Sequence, residues 1–237
     1  MGKVSVDLES PSPYIESDSF FHRLKRNLSY SFAIRRIRKR FARQEEFSIL
    51  EVGTGSGFFF SAARREFPRA TLSGVEYDPR LLETTKKRAP FAHCIQANAE
   101  TFDLQPQKFD VVVSFQVIEH LYDPSAMLAR VRSHLKPGGL FIVTTPNLDG
   151  LGARIMGTGW HGYRDDHVSL KGVAAWTELI KGHGFEPLYC GSTFFTGLPV
   201  MNRLPLGLLN WSLLVAFGAV RWRHGESFVG VFEAKDA

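Results

Sequence analysis

Hydrophobic and polar positions divide the 237-residue chain into three regimes. Residues 1–16 mix Ser, Pro, Asp and Glu without periodicity and read as a mobile or loosely docked arm. From Phe20 to Phe41 the apolar residues Phe20, Leu24 and Leu28, then Ile34, Ile37 and Phe41, recur at spacings of three and four. That is the period of a helix, with a break expected near Ser29–Ser31. After Gln44 short β-rich runs alternate with helical stretches: FSILEVG, a helix from Ser56, ATLSGVE, a helix from Pro79, FAHCIQA, then FDVVVSF. A helix over about 124–135, the strand LFIVTTP, a helix over about 170–183, FEPLYCGS and a closing SFVGVFEA complete the series. Gly and Pro stop signals (KPGG at 136–139, TPNLDG at 145–150, HGF at 183–185) are expected to separate these elements. Strands alternating with helices imply parallel βαβ units with helices on both faces of one sheet. The expected class is α/β: a doubly wound, mostly parallel, seven-stranded sheet, preceded by a helix and interrupted by an insertion before the last strand.

Composition changes this picture little. Apolar residues at 44% and charged residues at 22% fit one globular domain. Cys94 and Cys190 match no metal or CxxC spacing, so neither a disulfide framework nor a zinc site is expected, and a reducing cytoplasm is the simplest home. The opening MGKVSVDLES lacks the apolar run of an export signal, and Val6 stands where a myristoylation signal wants Ser or Thr. Charge is more informative. Nine basic residues and no acidic one lie between Ser19 and Arg43, more than the whole net excess of +5. Residues 1–44 are therefore read as an arm plus a basic helix, and 45–237 as the main domain.

The sharpest motif is Glu51-Val52-Gly53-Thr54-Gly55-Ser56-Gly57, between an apolar strand and a helix. Glycines let the backbone turn tightly and approach a ligand where a Cβ would collide, and the helix N-terminus beyond suits an anionic group. The dinucleotide fingerprint would require glycine at 58, where Phe58 stands, which argues against a nicotinamide oxidoreductase.

EVGTGSG resembles the first motif of class I S-adenosylmethionine-dependent methyltransferases, and the resemblance continues in order over about residues 47–147. It implies a Rossmann-like fold and S-adenosylmethionine as cofactor, held at the loop by Glu51, Gly53, Thr54, Gly55 and Gly57. By the same resemblance Glu76, ending the second strand in GVEYDP, accepts hydrogen bonds from both ribose hydroxyls, and Tyr77 stacks on the adenine. In ANAE the resemblance places Asn98 and Ala99 at the adenine, Asn98 replacing the commoner Asp; its amide oxygen can still accept from the amino group. FDVVVSFQVIEHLYDP resembles the strand-four segment, with Phe115, Gln116 and Val117 lining the cofactor pocket. The subgroup resembled includes the ubiquinone-biosynthesis O-methyltransferases and many small-molecule enzymes.

Methyl transfer needs an aligned nucleophile, and a base where the acceptor is a hydroxyl or a protonated amine. His120, just past strand four, is the candidate base. The rival reading has Glu119 and His120 merely starting the next helix. In the ubiquinone enzymes the segment reads E-x-x-E-H and has been linked to a metal; here Gln116 replaces the first acidic residue, and a neutral amide is a poor ligand for a hard cation, so no metal is expected. Within Trp160–His167, His167 resembles a histidine that borders the acceptor, the rival being a solvated loop in which Asp165 or Asp166 caps a helix.

The insertion, roughly 194–225, contains no charge from Leu204 to Val220, but Pro205, Gly207 and Gly218 interrupt it. It reads as an apolar lid over the acceptor, suited to peripheral membrane contact, or equally as a helix packed on the sheet. The basic helix suits anionic substrates, lipid headgroups or nucleic acid. Strand four ends in SFQVIEH and not in an NPPY-type motif, which disfavours nucleic acid. The expected function is methyl transfer to a hydroxyl of a small-molecule or lipid-linked acceptor, in the cytoplasm or at the inner face of a membrane. The alternatives are a nucleic-acid methyltransferase and a non-catalytic cofactor-binding protein.

Overall fold

A computed structural model describes residues 20–195 and 198–235; the expected N-terminal arm lies outside them. Seven strands form one sheet: β1 (Ser48–Val52), β2 (Thr71–Glu76), β3 (His93–Gln96), β4 (Phe109–Phe115), β5 (Leu135–Pro146), β6 (Phe185–Ser192) and β7 (Ser227–Ala234). Their order is β3-β2-β1-β4-β5-β7-β6, all parallel except β7, which runs antiparallel to both neighbours. The central strands are buried on both faces, hence continuous apolar runs such as Val111–Val113 and Phe141–Val143.

Seven α-helices surround the sheet in the described residues: α1 (Phe20–Ile37), α2 (Phe58–Glu66), α3 (Pro79–Arg88), α4 (Pro124–His134), α5 (Leu151–Met156), α6 (Val173–Gly182) and α7 (Leu206–Phe217). One face carries a cluster that joins Phe32 and Ile37 of α1 to Phe59 and Phe60 of α2; the other carries Met127 and Val131 of α4 with Trp176 and Ile180 of α6. Helices α3 and α4 start alike: Asp78 and Asp123 accept from the amides of Arg80 (2.8 Å) and Ser125 (3.0 Å), each followed by proline in the first turn.

Several local expectations are corrected. Helix α1 runs unbroken through Ser29–Ser31: the Ser29 hydroxyl donates to the Lys25 carbonyl (3.2 Å), and Tyr30 packs edge-on against Phe59 and Phe115. KPGG does not separate a helix from a strand. It lies inside β5, where Leu135 already pairs with Phe109 and Gly138 takes φ +68° in the register shift. Helix α6 starts at Val173, and Asp149 accepts from the Val173 amide (3.1 Å), so neither Asp165 nor Asp166 caps it. Helix α5 followed from no sequence pattern. Helix α7 is not a core helix: only Gly207, Asn210 and Leu214 are buried. Cys94 and Cys190 stand on β3 and β6, the two edges of the sheet, too far apart to bond.

Candidate active site

Strand order reverses between β1 and β4, and in open α/β sheets ligands gather at the C-terminal ends of such a junction. The loop after β1 lies there. Gly53, Gly55 and Gly57 take φ of +78°, +52° and +74°, a region that side-chain-bearing residues rarely enter. The amides of Gly53 and Thr54 donate to the Val75 carbonyl (2.9 and 3.3 Å), which ties the loop to β2. At Gly53 a Cβ would stand 2.3 Å from the Val117 Cγ2, so the loop and the end of β4 are packed without slack.

Glu76 closes the loop from β2. Its Oε2 accepts from the Gly55 amide (2.8 Å) and its Oε1 from the Asp78 amide (3.0 Å). Burial pushes this carboxyl above its ordinary range, and backbone donors from Asp78, Gly55 and Tyr77 oppose the shift. Tyr77 next to it is 40% exposed. Asn98 lies beyond β3; its Oδ1 accepts from the Glu100 amide (2.7 Å), leaving one acceptor direction and the amide NH2 for a ligand. Ala99 is buried, and so is Glu51, whose carboxylate lies inside the β1 end rather than on the surface. Phe115 packs under Tyr30 and Phe59 and belongs to the wall behind the site.

Gln116 is the non-glycine residue with positive φ, +55°, among the described residues. Its amide donates to the Thr144 carbonyl (2.8 Å) and its side chain to the Thr144 hydroxyl (3.3 Å), which hold the left-handed turn in place. Such a conformation costs about 1–3 kcal/mol and marks positions that surrounding structure over-determines. The turn delivers Ile118–His120 as a single 3₁₀ turn, separate from α4, so Glu119 and His120 do not start that helix.

The fold brings His120 and His167 together, 47 residues apart in sequence, with ring centroids 4.7 Å apart and edge-to-face. His120 Nδ1 lies 3.0 Å from the Asp166 carbonyl and 3.3 Å from its Oδ2; His167 Nδ1 lies 2.8 Å from the Gly162 carbonyl. A carbonyl can only accept, so Nδ1 carries hydrogen in both rings and Nε2 keeps its lone pair. Burial holds both imidazoles below the usual histidine range, and for His120 the neighbouring His167 adds to it while Asp166 opposes. Glu119 is fully buried beneath them; its Oε2 accepts from the Thr145 hydroxyl (2.9 Å), and burial pushes its carboxyl up to about 8.

One ligand atom each from Glu119, His120 and His167 lie within 4.8 Å of one another. Weighing a metal by the Gln116 substitution alone overlooked this cluster, because His167 reaches it from another loop. Two imidazoles and a carboxyl form a donor set that a divalent ion could take, the buried carboxyl releasing its proton on binding. No spacing pattern marked Asp166 as the partner of His120 or Thr145 as the partner of Glu119.

A small cavity lies between α1, α7, β5 and β7, lined by Lys25, Phe32, Thr144, Leu214, Ser227 and Val229. One of its lining residues, Thr144, also holds the Gln116 turn. Burial lowers the Lys25 ammonium below its ordinary range, and the Glu226 charge partly restores it.

Residues 21–189 match a family model described as a methyltransferase domain. A protein of Mycolicibacterium smegmatis, named a probable S-adenosylmethionine-dependent methyltransferase, is 35% identical over 58% of this chain and 51% of its own length. A malonyl-[acyl-carrier protein] O-methyltransferase of Halalkalibacterium halodurans is 31% identical over 46% of this chain and 42% of its own. A ubiquinone biosynthesis O-methyltransferase of Xylella fastidiosa is 28% identical over 59% and 65%. The chain thus spans about half the length of the curated relatives it matches. Among solved structures, a plantazolicin methyltransferase in complex with S-adenosylhomocysteine superposes with a TM-score of 0.65 at 14% identity, over 90% of this chain and 86% of that one. An S-adenosylmethionine-dependent methyltransferase of Thermotoga maritima gives 0.62 at 19% identity, over 91% and 93%. At these identities the likeness is one of fold.

Proposed function

The chain belongs to the class I S-adenosylmethionine-dependent methyltransferases, and from that premise we propose that it methylates a hydroxyl of a small-molecule or lipid-linked acceptor, with His120 as general base. The observation that carries this reading is the His120–His167 pair: two imidazoles below the usual histidine range, each held through Nδ1 by a backbone carbonyl, at the end of β4. Two of the relatives are named O-methyltransferases, which favours oxygen as the acceptor atom.

The residues present fit the methyl donor. The left-handed glycine turns suit a closely approached ligand, the Glu76 carboxylate keeps one acceptor direction for a ribose hydroxyl beside its three backbone donors, and Tyr77 and Asn98 flank the place for an adenine. When bound, S-adenosylmethionine supplies an electrophilic methyl carbon on a sulfonium, which leaves as a neutral thioether. The chain's part is alignment and proton removal. His120 Nε2 takes the hydroxyl proton as the oxygen attacks, the Asp166 carbonyl and carboxylate steady the imidazolium, and His167 fixes the ring's orientation. Glu119, protonated near neutrality, holds the turn beneath the base without adding a competing charge.

The test is single-turnover methyl transfer to a panel of phenolic and aliphatic alcohols by wild type and His120→Gln. Transfer in the wild type and a fall of about 10²–10⁴-fold in the variant, with donor affinity kept, is the expected result. Full donor binding with no transfer to any alcohol would point to the non-catalytic alternative.

A further inference from the structure

Helix α7 carries its apolar residues on the outside. Its inward face is Gly207, Asn210 and Leu214; facing solvent are Leu208 (65% exposed), Leu209 (60%), Val215 and Phe217, with Leu204 (77%) on the approach. Monomeric proteins rarely leave so continuous an apolar arc uncovered without using it.

The surrounding charge says what would cover it. The chain has 29 Lys and Arg and 24 Asp and Glu; twelve of the former and none of the latter fall within residues 19–43 and 193–225, the stretches containing α1 and α7. Everywhere else acidic residues outnumber basic ones, 24 to 17. Cations stand at both ends of the arc: Arg203 precedes it, and Arg221 follows it with its guanidinium donating to the Leu188 carbonyl (3.1 Å). Arg35 of α1 closes on Gly218 so tightly that a Cβ there would stand 2.9 Å from its Nη2. Among the described residues, no carboxylate lies within ion-pair distance of Arg35, Arg203, Arg221 or Arg223.

We propose that the outer face of α7 and the arginines at its ends form a docking surface for an anionic lipid bilayer. The leucines enter the headgroup–acyl boundary and the guanidiniums pair with lipid phosphates. The helix lies along the surface and does not span it: 12 residues reach about 18 Å, against a hydrocarbon core of about 30 Å. No helix of the described residues is long and apolar enough to cross a membrane. A second copy of the chain fits less well, because pairing two such helices in either direction sets cationic ends against each other, and residues 193–225 contain no acidic residue to offset them. The inference extends the lipid-linked acceptor reading but needs neither methyl donor nor acceptor for its test.

The test is flotation with vesicles of phosphatidylcholine alone and of phosphatidylcholine mixed with phosphatidylglycerol. Wild type should float with the mixed vesicles and not with the neutral ones. The double variant Leu208→Asp/Leu209→Asp should bind at least about tenfold more weakly, and Arg203→Glu/Arg221→Glu should lose the preference for anionic lipid. Ile155→Asp, on exposed α5, should bind as wild type does, and unchanged thermal unfolding shows that each variant is folded. Absence of wild-type binding, or equal binding by the leucine double variant, would overturn the proposal. So would a dimer in light scattering that the same double variant splits, since that assigns the face to a second copy.

Discussion

Replacing Glu76 separates a ligand-binding carboxylate from a loop brace. Its oxygens accept the backbone N–H of Gly55 at 2.8 Å and of Asp78 at 3.0 Å, and the Tyr77 amide also bonds the carboxylate. A carboxylate offers about four acceptor directions, so these three donors leave one for a ribose hydroxyl. A hydrogen bond to a charged group contributes about 1.5–3 kcal/mol net, so Glu76→Gln, which turns one acceptor into a donor, should weaken S-adenosylhomocysteine binding roughly 10- to 100-fold. The assay is calorimetric titration with S-adenosylhomocysteine and its 2′-deoxy analogue on both proteins, a cycle that isolates the contact between carboxylate and hydroxyl. In the wild type the deoxy analogue should bind about tenfold less tightly; in Glu76→Gln the two ligands should bind alike. Because burial raises Glu76 and only its ionised form accepts at both oxygens, wild-type affinity should also decline as pH falls through that raised value. An equal penalty for the missing hydroxyl in both proteins would refute the reasoning and leave Glu76 as a brace.

Glu119 retains its proton when folded up to about pH 8, whereas an ordinary glutamate loses it near 4.5, so wild-type stability should fall as pH rises between those values. Glu119→Gln should flatten that slope in thermal melts recorded across the range. His120 and His167, both lowered, should be neutral at pH 7, so transfer should decline only as pH drops below the usual histidine range, and the limb should vanish in His120→Gln. Gly53→Ala sets a Cβ against Val117 at φ +78°; left-handed strain and overpacking together should cost about 2–5 kcal/mol in urea unfolding. With His120 acting as the base, a strong chelator should leave transfer unchanged; loss of transfer restored by zinc would make Glu119, His120 and His167 ligands instead.

The sequence by itself determined the seven strands, their α/β alternation and the glycine loop, because these are written in local physics. Buried parallel strands need continuous apolar runs, left-handed turns need glycine, and Asp-Pro caps announce α3 and α4. Glu76 was named for another reason, the resemblance to the methyltransferase family, which has an acidic residue at the end of that strand. Where local and tertiary forces competed, the local reading failed: Ser29–Ser31 looked like a break, yet Tyr30 and Phe32 have a core to bury, and that holds α1 continuous. What only the tertiary structure decided are meetings between distant segments. His167 and Asp166 come to His120 from a loop beyond β5, Thr145 comes to Glu119 across the β4–β5 register, and α7 turns its leucines outward because Asn210 and Leu214 are what the insertion buries. Such contacts depend on strand order and crossover path, which the hydrophobic period does not encode, so the site's donors were visible one by one but their convergence was not.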